Sequence, residues 1–238
     1  MAAEHIIKSY DDELDRLGKM IAEMGGLAES QLAAATDSVA RRDSDLAARV
    51  VEGDEQVDRL ERELDNLAIR LLALRQPMAR DLREIVAALK IAADLERICD
   101  YAANVAKRSI ALAQSPPIQP VHALPRMAQL ALVLVKDVID AYVGRDADKA
   151  IRVWNSDEEL DGMYSSLFRE FLTYMMEDPR NIGPCTHLLF MAKNIERIGD
   201  HATNIAENVY YLVHGTPLTE IRPKGDQSSL EVVAPDRP

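Results

Sequence analysis

The chain has 238 residues, of which 47% are hydrophobic, 29% charged and only 5% aromatic. That is a globular composition, and its core must be mostly Leu, Ile, Val, Ala and Met, which suits helices packed by aliphatic ridges. A formal net charge of −12 argues against nucleic acid and against an anionic membrane surface as direct partners, since both recruit basic clusters. It is permissive for metal cations and basic protein surfaces.

Asp11, Asp12 and Glu13 follow soon after the opening residues, so the basic-then-apolar plan of a secretory signal is missing. No apolar run approaches the length of a membrane span. Cys99 and Cys185 lack the paired spacing of a disulfide framework or a zinc site. A cytoplasmic protein without membrane insertion is expected.

In chain order, Ile7, Tyr10, Leu14, Leu17, Ile21 and Met24 alternate spacings of three and four, which predicts a first long helix. Gly25-Gly26 would kink it or allow close packing. Asp43 and Ser44 are cap residues for a second helix, whose seam runs from Leu46 through Leu74 and which Gln76-Pro77 ends. A third helix runs to about Gln114. Residues 115–121, with three prolines, read as a linker. A fourth helix is expected from near Pro125 to around Gly144, and a fifth from near Asp146 to before Asp178-Pro179. A sixth starts around Pro184 and stops near Gly215, its seam running from Leu188 to Leu212. Residues 215–238 are expected to be a mobile tail. No stretch alternates with period two, so the fold class is all-α.

The six helices are two copies of one plan. Shifted by 103 residues, Ala47–Asp58 aligns with Ala150–Asp161, with Asp54/Asp157 and Asp58/Asp161 among six identical pairs in twelve; Arg42-Asp43 falls on Arg145-Asp146. Shifted by 100, Asp94–Ala106 aligns with Asn194–Ala206, seven of thirteen pairs being identical. This is a tandem duplication of a three-helix unit, with one unit at 1–114 and the other at 122–214.

The chemistry-bearing residues lie in the repeat. Glu96, Asp100 and Asn104 step by four along the third helix, and Glu196, Asp200 and Asn204 repeat them along the sixth. Helical geometry puts each trio on one face, away from the apolar seam, as an outward row of oxygen ligands. Asp54 and Asp58, repeated as Asp157 and Asp161, form a second acidic pair per unit. If neighbouring helices bring the pairs together, they suit a hard cation such as magnesium, manganese, calcium or oxidised iron. The plainer reading is solvated surface, and recurrence in both units weighs against it. Arg97 and Arg197 recur too, and pairing with nearby acids is the plain reason expected for them. No His stands three residues after a Glu, so the Glu-x-x-His motif of di-iron bundles is missing. No nucleophile signature or phosphate-cradling Gly-Lys-Ser/Thr loop is present, so no enzyme is expected. Cys99 and Trp154 read as packing residues.

The motifs Asp94-Leu95-Glu96-Arg97-Ile98-Cys99-Asp100 and Asn194-Ile195-Glu196-Arg197-Ile198-Gly199-Asp200-His201-Ala202-Thr203-Asn204 resemble the paired signatures of the PhoU family of bacterial phosphate-uptake regulators. The resemblance spans roughly residues 5–213. It implies two three-helix bundles related by a pseudo-twofold, and commonly a homodimer. It also implies restraint of the phosphate-starvation response when phosphate is plentiful, with the phosphate ABC transporter ATPase and a sensor histidine kinase as partners. Multinuclear metal sites of the family fall here on Glu96/Asp100 and Glu196/Asp200, with Asp54/Asp58 and Asp157/Asp161 facing them. The expected cofactor is a divalent or ferric ion (iron, manganese, magnesium or zinc). Cys99 stands where the second copy has Gly199, so the first site is expected to differ. The alternatives are a carboxylate-bridged metalloenzyme or metal store, and a purely structural helical dimerisation module.

Overall fold

A computed structural model describes residues 2–118 and 124–220, of residues 2–9 the backbone alone. It contains α1 (Ala2–Arg41), α2 (Ser44–Arg75), α3 (Arg80–Ala113), α4 (Leu124–Gly144), α5 (Ala147–Glu177) and α6 (Ile182–His214), with a 3-10 turn at Pro179–Asn181. Among the described residues there is no strand, and no helix is long and apolar enough to cross a membrane. The expected linker residues 119–121, His122 and residues 221–238 lie outside the described residues.

The helix ends follow from local chemistry, and the repeat is visible in them. At Arg42 (φ 55) and Arg145 (φ 51) the chain turns left-handed. There Asp43 N donates to Ser38 O at 3.0 Å, and Asp146 N donates to Ala141 O at 2.9 Å. This is the Schellman arrangement, which satisfies carbonyls left over at a helix end. The same two aspartates then start the next helix: Asp43 Oδ1 accepts from Leu46 N and Asp146 Oδ1 from Lys149 N, each at 2.8 Å. One Arg-Asp pair closes one helix and opens the next in both units. The two arginine side chains differ. Arg42 Nη2 donates to Leu112 O, Ala113 O and Ser115 O, capping the end of α3 in its own unit. Arg145 instead reaches Glu84 on α3 of the other unit. Gln76 (φ 48) and Gly215 (φ 74) end α2 and α6.

The units share one continuous core rather than two. Helix α3 packs on α1, α2 and α6, helix α6 packs on α3, α4 and α5, and α1 also meets α4 across the units. The fully buried residues are mainly aliphatic, with Ile91, Leu95, Ile98, Ile195 and Ile198 on the two central helices. Residues 216–220, expected to belong to the mobile tail, begin in placed chain: Leu218 packs against the core.

Helix α1 is continuous through Gly25-Gly26, and the two glycines have different surroundings. A Cβ on Gly25 would stand 2.7 Å from Ile139 Cγ1, so Gly25 lets α1 approach α4 closely; nothing lies within 4 Å of a Cβ on Gly26. Gly25→Leu should therefore cost about 1–3 kcal/mol by overpacking. Gly26→Ala should stabilise by roughly 0.5–1 kcal/mol through helix propensity. Urea unfolding of both variants checks this, and equal effects would contradict the packing argument.

Candidate functional site

In the first unit α2 lies along α3, and the acids of the two helices meet. Burial, then the charges of Asp100 and Asp58, raise the Asp54 carboxyl above its usual range, with Lys107 opposing. Glu96 is pushed up to about 7, chiefly by burial and then by Asp100, with Arg97 opposing and Glu61 and Asp58 adding. Glu61, which the sequence reading passed over, is raised by burial, Asp65 and Asp58. Its signal was available: it stands seven residues after Asp54 and three after Asp58, on the same helix face. Arg97 spans the α3 acids, with Nε 3.3 Å from Glu96 Oε2 and Nη1 donating to Asp100 Oδ2 at 2.8 Å.

In the second unit the corresponding acids are buried. Asp157 is 1% exposed, and Asp161 and Glu196 are 4% exposed. Glu196 is pushed up to about 7, first by burial; Lys193 opposes, while Asp200 and Asp161 add to the rise. Lys193 Nζ donates to Glu196 Oε1 at 2.8 Å, and the buried Oε2 has no hydrogen-bond partner among the described residues. Lys193 replaces Ala93 of the first unit, and Tyr164 replaces Glu61. The expected difference at Cys99/Gly199 has a steric basis. A Cβ on Gly199 would stand 2.3 Å from Leu160 Cδ2 and 2.6 Å from Asp157 Oδ1. Bare backbone there admits α5 and buries Asp157. In the first unit the Cys99 side chain fills its place, and Asp54 keeps partial exposure. Burial raises the Cys99 thiol pKa, consistent with packing rather than reactivity.

Two expectations need correction. The acidic rows do not point outward, because each central helix is covered on three sides and the flank opposite the seam is taken by α2 or α5. The rows also do not carry their asparagines to the acids. Each step of four overshoots a full turn by about 40°, so eight residues rotate the row by about 80°. Asn204 thus reaches the α3/α6 seam, where its Nδ2 donates to Asp94 Oδ1 at 3.2 Å. Asn104 lies at the opposite end of that seam, beside Lys107 and Asn194. His201 Nδ1 also lies 2.8 Å from Asp94 Oδ1, and Trp154 Nε1 donates to Glu207 Oε1 at 3.0 Å. Neither contact was legible from spacing, since each joins residues far apart in the chain.

The donor set is one of carboxylates whose proton affinity is raised by burial and by one another. That chemistry fits a hard cation, which would relieve the same repulsion. Among the described residues, no three His, Cys, Asp or Glu side chains converge as a ready-made ligand group. The acids meet as pairs across helices, and a cation would have to draw them together.

A duplicated six-helix protein with acidic pairs facing across α2/α3 and α5/α6 is thus defined. The PhoU domain family matches residues 21–109 and 124–209, one match per unit. The chain is 56% identical over 225 residues to the phosphate-specific transport system accessory protein PhoU homolog of Xylella fastidiosa, covering 94% of this chain and 95% of the relative. It is 53% identical over 224 residues to the homolog of Caulobacter vibrioides, covering 94% and 97%. The crystal structure of PhoU from Pseudomonas aeruginosa superposes with a TM-score of 0.85 at 40% identity, over 87% of this chain and 100% of that one. The phosphate transport system regulatory protein PhoU from Streptococcus pneumoniae superposes with a TM-score of 0.82 at 28% identity, over 89% and 100%. The chain belongs to the PhoU family.

The raised Glu196 carboxyl has a definite sign. In the unfolded chain it ionises near 4.5; in the metal-free fold it holds its proton to about 7. Between these values the native state binds more protons, so stability falls as pH rises from 4.5 through 7. Glu196→Gln should remove that fall and raise stability at pH 8 by roughly 2–3 kcal/mol. Thermal unfolding in chelator from pH 4.5 to 8 tests it, and an unchanged slope would refute the assignment.

Proposed function

We propose that this chain is a regulator of phosphate uptake that restrains the phosphate-starvation response when phosphate is plentiful. It works as a non-enzymatic cytoplasmic adaptor, as a homodimer, between the phosphate ABC transporter ATPase and a sensor histidine kinase. The observation that carries this reading is the whole-chain likeness to relatives named phosphate-specific transport system accessory proteins, with both units matched. In a strain lacking the chain, phosphate-regulated transcription should stay on at high phosphate. Unchanged repression would sink the proposal.

In the same reading the acidic pairs hold divalent or ferric ions: Asp54, Asp58, Glu96 and Asp100 in the first unit, Asp157, Asp161, Glu196 and Asp200 in the second. A bound cation would supply positive charge that ties α2 to α3 and α5 to α6. What supports this is the crowding that raises Asp54, Glu96 and Glu196 together with the partnerless buried Oε2 of Glu196. Elemental analysis should find stoichiometric metal, lost in Glu96→Gln/Asp100→Asn/Glu196→Gln/Asp200→Asn. Added cation should also raise thermal stability, by about 2.7 kcal/mol at a concentration 100 times Kd. No shift at saturating metal would return the pairs to structural residues.

Burial of Asp157, Asp161 and Glu196 favours a second reading, a metalloenzyme or metal store. Enzymes of that kind turn their ligands into the bundle, but they also supply imidazoles from Glu-x-x-His motifs, and this chain has none. Oxygen-dependent turnover by the iron-loaded protein would establish it.

A further inference from the structure

The α3/α6 seam has a groove at each end, and the pseudo-twofold exchanges them. One groove, of about 540 Å³, has Lys90 and Asp94 from α3 and Glu207 and Asn208 from α6, with Pro217 and Leu218 along its edge. The other, of about 470 Å³, has Lys107, Arg108 and Asn104 from α3 and Arg197, Asn194 and Phe190 from α6. The backbone plan is shared, but Lys107 and Arg108 stand where the other unit has Glu207 and Asn208. Among the described residues the second groove therefore gathers three cations and no lining carboxylate, in a chain of net charge −12.

These cations are held without being neutralised. The Arg108 guanidinium lies over the Phe190 ring at 4.2 Å, and that of Arg197 over Tyr101 at 5.6 Å. Arg97, by contrast, is engaged by Glu96 and Asp100. Among the described residues none of Lys107, Arg108 and Arg197 makes an ion pair; Lys107 is only within electrostatic reach of Asp54. Stacking leaves the edge of a guanidinium, with its N–H donors, open to a ligand. His187 lines the same groove, and its buried Nδ1 has no hydrogen-bond partner among the described residues.

We propose that this groove binds a small phosphate-bearing anion. Planar guanidinium groups match the bidentate oxygens of phosphate, and an ammonium adds a point charge. The two asparagine amides can donate to further oxygens. The volume lies within the roughly 300–1,000 Å³ of small-molecule sites. Free orthophosphate and a nucleoside polyphosphate present the same chemistry, and experiment separates them. The site is distinct from the acidic pairs and does not depend on a metal there.

The test is isothermal titration calorimetry on the full chain in chelator, with orthophosphate and ATP as separate titrants. Saturable binding of one anion per chain is expected. Lys107→Glu/Arg108→Asn, which installs the residues the other unit carries at these positions, should weaken it about tenfold or more, given the energy of charge-assisted hydrogen bonds. Arg197→Gln should weaken it as an independent check, and Lys90→Ala in the opposite groove should leave it unchanged. Thermal unfolding confirms that each variant folds. Binding of both titrants assigns the groove to free phosphate, and binding of ATP alone assigns it to a nucleotide. No binding of either, or binding that survives both the double variant and Arg197→Gln, overturns the proposal.

Discussion

The antiparallel crossing of α3 and α6 is the constraint on which the rest of the structure depends. A three-helix unit here leaves the outer stripe of its third helix unburied, and the other unit's third helix covers it. The register is visible at several points. Asp94 meets Asn204 and His201, Asn104 shares a groove with Asn194, and a side chain on Gly215 would touch Arg83. Alanines such as Ala102, Ala106, Ala202 and Ala206 are fully or almost fully buried on these two helices, and small residues let helices approach closely. Because each central helix is packed on three sides, a polar residue away from the apolar seam is still partly desolvated. That desolvation is the first cause of the raised carboxyls of Glu96 and Glu196.

Duplication has kept the backbone devices and changed the side-chain electrostatics. The Arg-Asp turns at Arg42-Asp43 and Arg145-Asp146 are the same in hydrogen bonding. They are local, and any change would cost a helix terminus its partners. The sites are not local, and there the units diverge. Gly199 against Cys99 sets how closely the facing helix comes, and so how dry the acids are. Lys193 against Ala93 supplies the second unit's acids with a partner the first unit provides through Arg97. Lys107 and Arg108 against Glu207 and Asn208 reverse the charge of a groove. One fold thus presents four different electrostatic environments on one repeated frame.

Much of the fold was legible in the chain. Hydrophobic spacing of three and four marks the first, second and sixth helices, and Pro77, Pro116, Pro117 and Pro179 mark three of the breaks that bound the others. The cap at Asp43 is legible because a cap acts on an amide three residues away, and Asp146, read only as the start of the fifth helix, caps it in the same way. The candidate site was legible as a repeated residue pattern but not as a place. Its row of Glu, Asp and Asn was read as straight and outward. In fact it winds around the helix, so that the acids face α2 or α5 and the asparagines face the seam.

The sequence by itself determined what depends on neighbours in the chain: helix content, helix ends, the duplication and the kinds of residue available for chemistry. Periodicity, capping and identity at a fixed shift are short-range properties, and each was readable without knowing what packs on what. Only the tertiary structure decided which helix flank is dry, that Glu196 and Asp157 are buried while Asp54 is not, and that Lys107 and Arg197 share one groove. Desolvation and charge proximity depend on distances between residues dozens of positions apart, such as Glu96 and Asp58 or Glu196 and Asp161. Those distances are set by the α3/α6 crossing and by a single missing side chain at Gly199, not by any spacing along the chain.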